Sequence, residues 1–103
     1  GAQDSNAAQF RLVVTLDDRI EGFGVRADDT VTRERRTLRA RYQLISVATG
    51  KTVLDATAGS DAGIDVAGSE YATIAGENSA LENLTQKVAD QIVTRLSIYA
   101  RGE

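Results

Sequence analysis

Five arginines fall within nine residues of this chain. Arg33, Arg35, Arg36, Arg39 and Arg41 lie in the segment Thr32–Arg41, TRERRTLRAR, where Glu34 is the opposing charge. The segment holds five of the twelve cations in the sequence. A guanidinium is a planar fork of donors that grips phosphate through paired hydrogen bonds. On a strand, Arg33, Arg35, Arg39 and Arg41 share one face, with alternate residues spaced by about 7 Å. Such a row could hold an extended, multiply phosphorylated ligand. The same spacing also has a purely structural use. A first hairpin turning near Asp28 sets Asp17 opposite Arg39 and Glu21 opposite Arg35. Cross-strand ion pairs of that kind are ordinary, each worth under about 1 kcal/mol. In that register Arg33 and Arg41 are left without acidic partners.

Other chemistry has little to stand on. The sequence has no histidine and no cysteine, so the commonest general base, the commonest metal ligand, thiolate sites and disulfides are all missing. Asp17 and Asp18 are adjacent on a strand and point to opposite faces, so they cannot share a site. Asp28-Asp29 has the character of a turn pair. Asp61 and Asp65 flank Gly63 but lack the spacing of a calcium loop and its closing glutamate. No catalytic group, metal site or cofactor is expected, and the residues point to a binding module. A net charge of −3 argues against general nucleic-acid binding. No apolar run approaches the length of a membrane span.

The elements that position the arginines are legible from periodicity. Gln9–Ile20 alternates, with Phe10, Leu12, Val14, Leu16 and Ile20 on one parity, which predicts a half-buried strand. Gly22 and Gly24 interrupt it, and Phe23 and Val25 take the other parity, as a bulge or bend would produce. Arg26–Thr30 reads as a turn. A second strand runs from Val31, with Leu38, Ala40, Tyr42 and Leu44 opposite the arginine row. Val47–Lys51 reads as a tight hairpin turn with Gly50 at positive φ. A third strand is predicted over Thr52–Ala58, followed by a loop over Ala58–Gly68.

Tyr71–Ala100 carries a helical stripe of Tyr71, Ile74, Leu81, Leu84, Val88, Ile92, Leu96 and Tyr99. Ser69 is its N-cap, Glu70 lies in the first turn, and Arg101-Gly102 make the stop. Gly76 costs roughly 1 kcal/mol in a helix interior, and Ser79–Glu82 could restart a helix as a capping box. Ile74 and Leu81 nevertheless stay in phase across the glycine, so one helix is expected, bent if anywhere at Gly76.

The expected fold is α+β: a three- to four-stranded antiparallel meander with one long C-terminal helix packed on one face. Residues 1–8 form a disordered tail, and 9–103 form a single domain. A helix covers a stripe about 10 Å wide, narrower than the apolar face of such a sheet, so the chain is expected to self-associate.

Several of these features together resemble a known family. An arginine-rich segment leads into a Tyr-containing strand (Thr32–Leu44) and a Thr-Gly hairpin (Thr49-Gly50). Ser69–Ala72 then starts a long helix that ends near Tyr99. Over about residues 9–100 this order resembles the C-terminal two-thirds of the alphaproteobacterial form of the lipopolysaccharide (LPS)-assembly lipoprotein family LptE. The resemblance implies a non-enzymatic lipoprotein on the periplasmic face of the outer membrane, held there by a lipid anchor that this chain lacks. It implies two helices on one face of a mostly four-stranded sheet, lodged in the LptD β-barrel and binding LPS during export. It also places a contributing basic position at Arg35, with Arg33 and Arg36 beside it. A second basic position before the last helix has no counterpart in Ala67–Glu70.

The LPS-phosphate residues expected from the cluster as a whole are Arg33, Arg35, Arg36, Arg39 and Arg41. The chain opens Gly-Ala-Gln without a methionine and reads as a trimmed piece. It lacks the family's lipid-attachment cysteine, first strand and first helix, and is therefore expected to form a homodimer. The alternative role is a structural plug or assembly factor for an outer-membrane barrel, without lipid recognition. More distant is a hydrolase built on paired carboxylates.

Overall fold

A computed structural model describes residues 8–25, 31–66 and 68–102 of the chain. Strands β1 (Phe10–Val25), β2 (Val31–Ser46) and β3 (Thr52–Asp65) precede a single helix, α1 (Glu70–Ala100). The strands form one antiparallel sheet in the order β1-β2-β3. This is the α+β meander expected, with three strands.

Strict period-two alternation fixes the two sheet faces. Leu38, Ala40, Tyr42 and Leu44 of β2 join Leu54 and Ala58 of β3 and Leu84, Val88 and Ile92 of α1 in the core. The hairpin after β2 closes with Gly50 at φ 71° and its N–H donating to Ser46 O at 2.8 Å. The predicted turn at Arg26–Thr30 and the tail up to Ala7 lie outside the described residues.

Two local expectations are corrected. The irregularity expected at Gly22 and Gly24 is confined to Gly24, at φ 73°, and is not a bulge: Ile20↔Arg36, Glu21↔Arg35, Gly22↔Glu34 and Phe23↔Arg33 continue one register that holds to Val25↔Val31. Phe23 changes parity because it belongs to the outer face, where it finds cover among arginine side chains. Likewise the segment after Ala58 is strand rather than loop, for β3 pairs with β2 as far as Arg33↔Asp65. Its glycines and alanines have a packing role. Ala56, Ala58, Ser60 and Ala62 share the core-facing parity, and their short side chains let a helix lie close.

α1 is continuous through Gly76. A Cβ at that position would lie 3.4 Å from Ile64 Cγ2, so the glycine marks where helix and β3 approach each other. Ser69 caps the start, accepting from Ala72 N–H at 3.3 Å. Gly102, at φ 81°, donates to Tyr99 O at 2.9 Å and ends the helix. Four-residue steps bury Ala80, Leu84, Val88 and Ile92. Tyr71 and Ile74, expected on the buried stripe, are 83% and 48% exposed. They fall on its flank, outside the line that touches the sheet.

α1 packs on β3 and β2. The β1 face is left bare: Phe10, Leu12, Val14, Leu16 and Ile20 are each at least 41% exposed. At one end the Phe10 ring meets Tyr99 edge-on, centroids 6.0 Å apart. The mismatch between a single helix and a three-stranded face is therefore present in the molecule.

Candidate functional site

β2 is the central strand, so each outward arginine has a neighbour on both sides. Arg33 lies between Phe23 and Asp65, and Arg35 between Glu21 and Gly63. Further along, Arg39 lies between Asp17 and Gly59, and Arg41 between Thr15 and Thr57. Alternation brings these four arginines into one row, as their spacing requires.

The four differ in how they are held. Arg41 is locked, its Nε and Nη2 donating to both oxygens of Asp55 at 3.1 and 2.7 Å. Those bonds hold the Asp55 carboxyl below its ordinary range, helped by Gln43, and raise Arg41. Arg33 and Arg35 reach Asp65 and Asp61 only at 3.7 and 3.9 Å, beyond hydrogen-bond distance. Among the described residues Arg39 has no ion pair. Asp17, its cross-strand neighbour, takes Arg19 instead at 3.2 Å.

The first-hairpin register is thus as expected, Asp17 opposite Arg39 and Glu21 opposite Arg35. Arg33 and Arg41, left without acidic partners in the first hairpin, find them across the second. Asp55 lies within the strand predicted for β3, whereas Asp65 is reached because β3 is longer than the sequence suggested.

Two features of the neighbours shape the row. Gly59 and Gly63 leave room for it: a Cβ there would stand 3.3 Å from Arg39 Cγ and 3.1 Å from Arg33 Nη2. Phe23 lies beneath the guanidinium carbons of Arg33 and Arg35, at 5.9 and 5.4 Å from its ring centroid, within the range of cation–π attraction. Sequence reasoning did not assign Phe23 to this site, although its parity carried the signal.

Arg36 is not in the row. It pairs with Ile20 and Ala62 on the core-facing side, and its side chain is only 12% exposed. Nε and Nη2 donate to Asp18 at 2.9 and 2.7 Å, and Nη1 donates to Glu77 O of α1 at 2.9 Å. The hydrogen bonds from Arg36 hold the Asp18 carboxyl below its ordinary range. Nearby, Glu34 is raised above its own range by a shared hydrogen bond with the Glu77 carboxyl, then by burial, then by repulsion between the two. Arg36, through Asp18 and the Glu77 carbonyl, therefore fastens the bare strand, the central strand and the first half of the helix to one another.

Of the carboxylates considered for chemistry, Asp61 and Asp65 face Arg35 and Arg33. Asp17 and Asp18 stand on opposite faces with different partners, and Asp28-Asp29 lies outside the described residues. Among the described residues no helix is long and apolar enough to cross a membrane.

Residues 2–96 match the family LptE, described as lipopolysaccharide-assembly. The chain belongs to the LptE family. Its fold also matches the crystal structure of a candidate lipoprotein from Caulobacter crescentus CB15, with a TM-score of 0.73 and 21% identity. The match covers 97% of this chain and 73% of the Caulobacter chain. No curated protein matches the chain. LptE membership supports a role in LPS assembly.

Proposed function

We propose that this LptE-family chain is a non-catalytic, LPS-binding component of outer-membrane assembly that works with an LptD-type β-barrel at the periplasmic face. The observation that carries the reading is the state of the arginine row in a chain matched to LPS assembly over residues 2–96. Arg33, Arg35 and Arg39 are exposed, and none is within hydrogen-bond reach of a carboxylate. Exposed pairs near 4 Å are weak, so a phosphate can displace Asp61 and Asp65 at little cost. Phe23 holds two of the guanidinium groups over one ring. Arg41 and Arg36 serve the scaffold instead, through their two-bond pairs with Asp55 and Asp18.

A second reading also has an observation behind it. Asp17, Glu21, Asp55, Asp61 and Asp65 share the outer face with the arginines. A near-balanced mosaic of this kind suits a protein partner, as a plug or assembly factor inside a barrel would need.

One titration separates the two. LPS is added to labelled protein at low and moderate salt while backbone amide shifts are followed. Lipid recognition predicts salt-sensitive shifts at Phe23, Arg33, Arg35 and Arg39, lost in R35E/R39E with the fold intact. A folded protein whose spectrum does not move at saturating LPS supports the structural plug.

A further inference from the structure

The two edges of the sheet are treated differently. On β3, Gly59 points its backbone N–H and C=O outward, and Gln91 of α1 bonds both at 3.0 Å, its side chain standing where a fourth strand would pair. Among the described residues β1 has no such cover. Val47 N–H donates to Gln9 O, so odd-numbered residues of β1 turn their backbone groups toward β2. The even-numbered residues, Leu12 to Ile20, therefore turn theirs to the open edge. β1 also lacks most of the devices that blunt an edge. It has no proline, no lysine and no register shift against β2. Its inward charge, Asp18, is neutralised by Arg36.

We propose that two copies of this chain join along β1, antiparallel and two-fold about Leu16, into one continuous six-stranded sheet. Charge complementarity and length select that register: an axis on Val14 also sets Arg11 against an acid, Asp17, but pairs only residues 10–18 of β1, whereas an axis on Leu16 pairs 10–22. A two-fold axis on Thr15 sets Arg11 against Arg19 of the other copy. An axis on Asp17 or Asp18 sets that aspartate against itself. An axis on Leu16 sets Arg11 against Glu21 and Thr15 against Asp17 on the outer face. On the inner face it sets Leu12 against Ile20 and Leu16 against Leu16. Backbone parity permits it, because it pairs even-numbered residues, whose N–H and C=O face outward, with even-numbered ones. The proposal does not depend on LPS binding, which uses the other strands' arginines.

The test uses the 103-residue chain in sedimentation equilibrium, with R11E and E21R variants checked for folding by circular dichroism. Each variant alone places like charges opposite each other at both ends of the pairing, and is expected to weaken the dimer about tenfold. Mixed in equal amounts, the two restore wild-type affinity, since every reversed charge then meets its opposite. Amides of Leu12, Val14, Leu16 and Ile20 are expected to exchange slowly at high concentration and fast on dilution.

A wild-type chain that stays monomeric at about 0.5 mM overturns the proposal. So does a dimer that both variants leave unchanged. A dimer that forms without protecting those amides has joined through its bare apolar faces, and overturns it too.

Discussion

Replacing Arg36 by glutamine should cost stability and leave LPS recognition alone. Arg36 makes three donor contacts, two to Asp18 and one to the Glu77 carbonyl, each between 2.7 and 2.9 Å. Hydrogen bonds involving a charged group are typically worth about 1.5–3 kcal/mol. Asp18 remains about a third exposed (36%), so water recovers part of its share, whereas the helix carbonyl is less well compensated. A net loss of about 2 kcal/mol follows, which for a domain of this size lowers Tm by roughly 8–15 °C. Urea denaturation followed at 222 nm reads the difference directly.

The pH dependence of that loss has a definite sign. Asp18 titrates lower in the folded chain than its ordinary 3.8, so the pair's contribution is present above that value. It is lost as pH falls through the depressed one. The gap between wild type and R36Q should therefore be constant near neutrality and shrink below about pH 4. A loss under about 0.5 kcal/mol at pH 7 would refute the assignment of Arg36 to the scaffold, since surface substitutions already reach that size. An equal stability loss accompanied by loss of LPS shifts would give Arg36 a part in binding as well as in the scaffold.

Two further outcomes are expected. Glu34 is raised by the neighbouring Glu77 and by burial, so its ionisation opposes folding as pH rises through the raised value. E34Q should therefore be more stable than wild type at pH 7 and equal to it at pH 3, in parallel denaturations. A Cβ at Gly76 would meet Ile64 Cγ2 at 3.4 Å, an ordinary contact, so G76A should raise stability by about 0.5–1 kcal/mol; a fall would mean that the added methyl pushes the helix off β3.

Much of this was legible in the sequence because two periods ran cleanly. The alternation of Leu38, Ala40, Tyr42 and Leu44 against the arginines defined β2 and its faces. The four-residue steps through Leu84, Val88 and Ile92 defined the helix. The second half of β3 was missed because Ala, Gly and Ser carry little apolar signal, and their value comes only from the helix and arginines that lie against them. The partner of Arg33, Asp65, was missed for the same reason, whereas Asp55 lay in the predicted strand and only its reach across to Arg41 went unread. Arg36 shares the parity of Leu38, which places it off the arginine row, but its bond to the Glu77 carbonyl joins elements 41 residues apart, and no local pattern contains that. Gly22 and Gly24 carry the signal of a break, and the opposite parity of Phe23 makes sense only once the guanidinium groups above its ring are seen.

The side chain of Gln91 has a consequence for how far this molecule can polymerise. A sheet with two open edges can add copies without limit, as fibres do. Here one margin is occupied by the protein's own amide, which satisfies the two backbone groups at Gly59. Growth by strand addition can then proceed from a single side, and a two-fold contact on that side uses it up. At Gly59 the glutamine works as a terminator, and with the proposed pairing of β1 a series that could run on would stop at two.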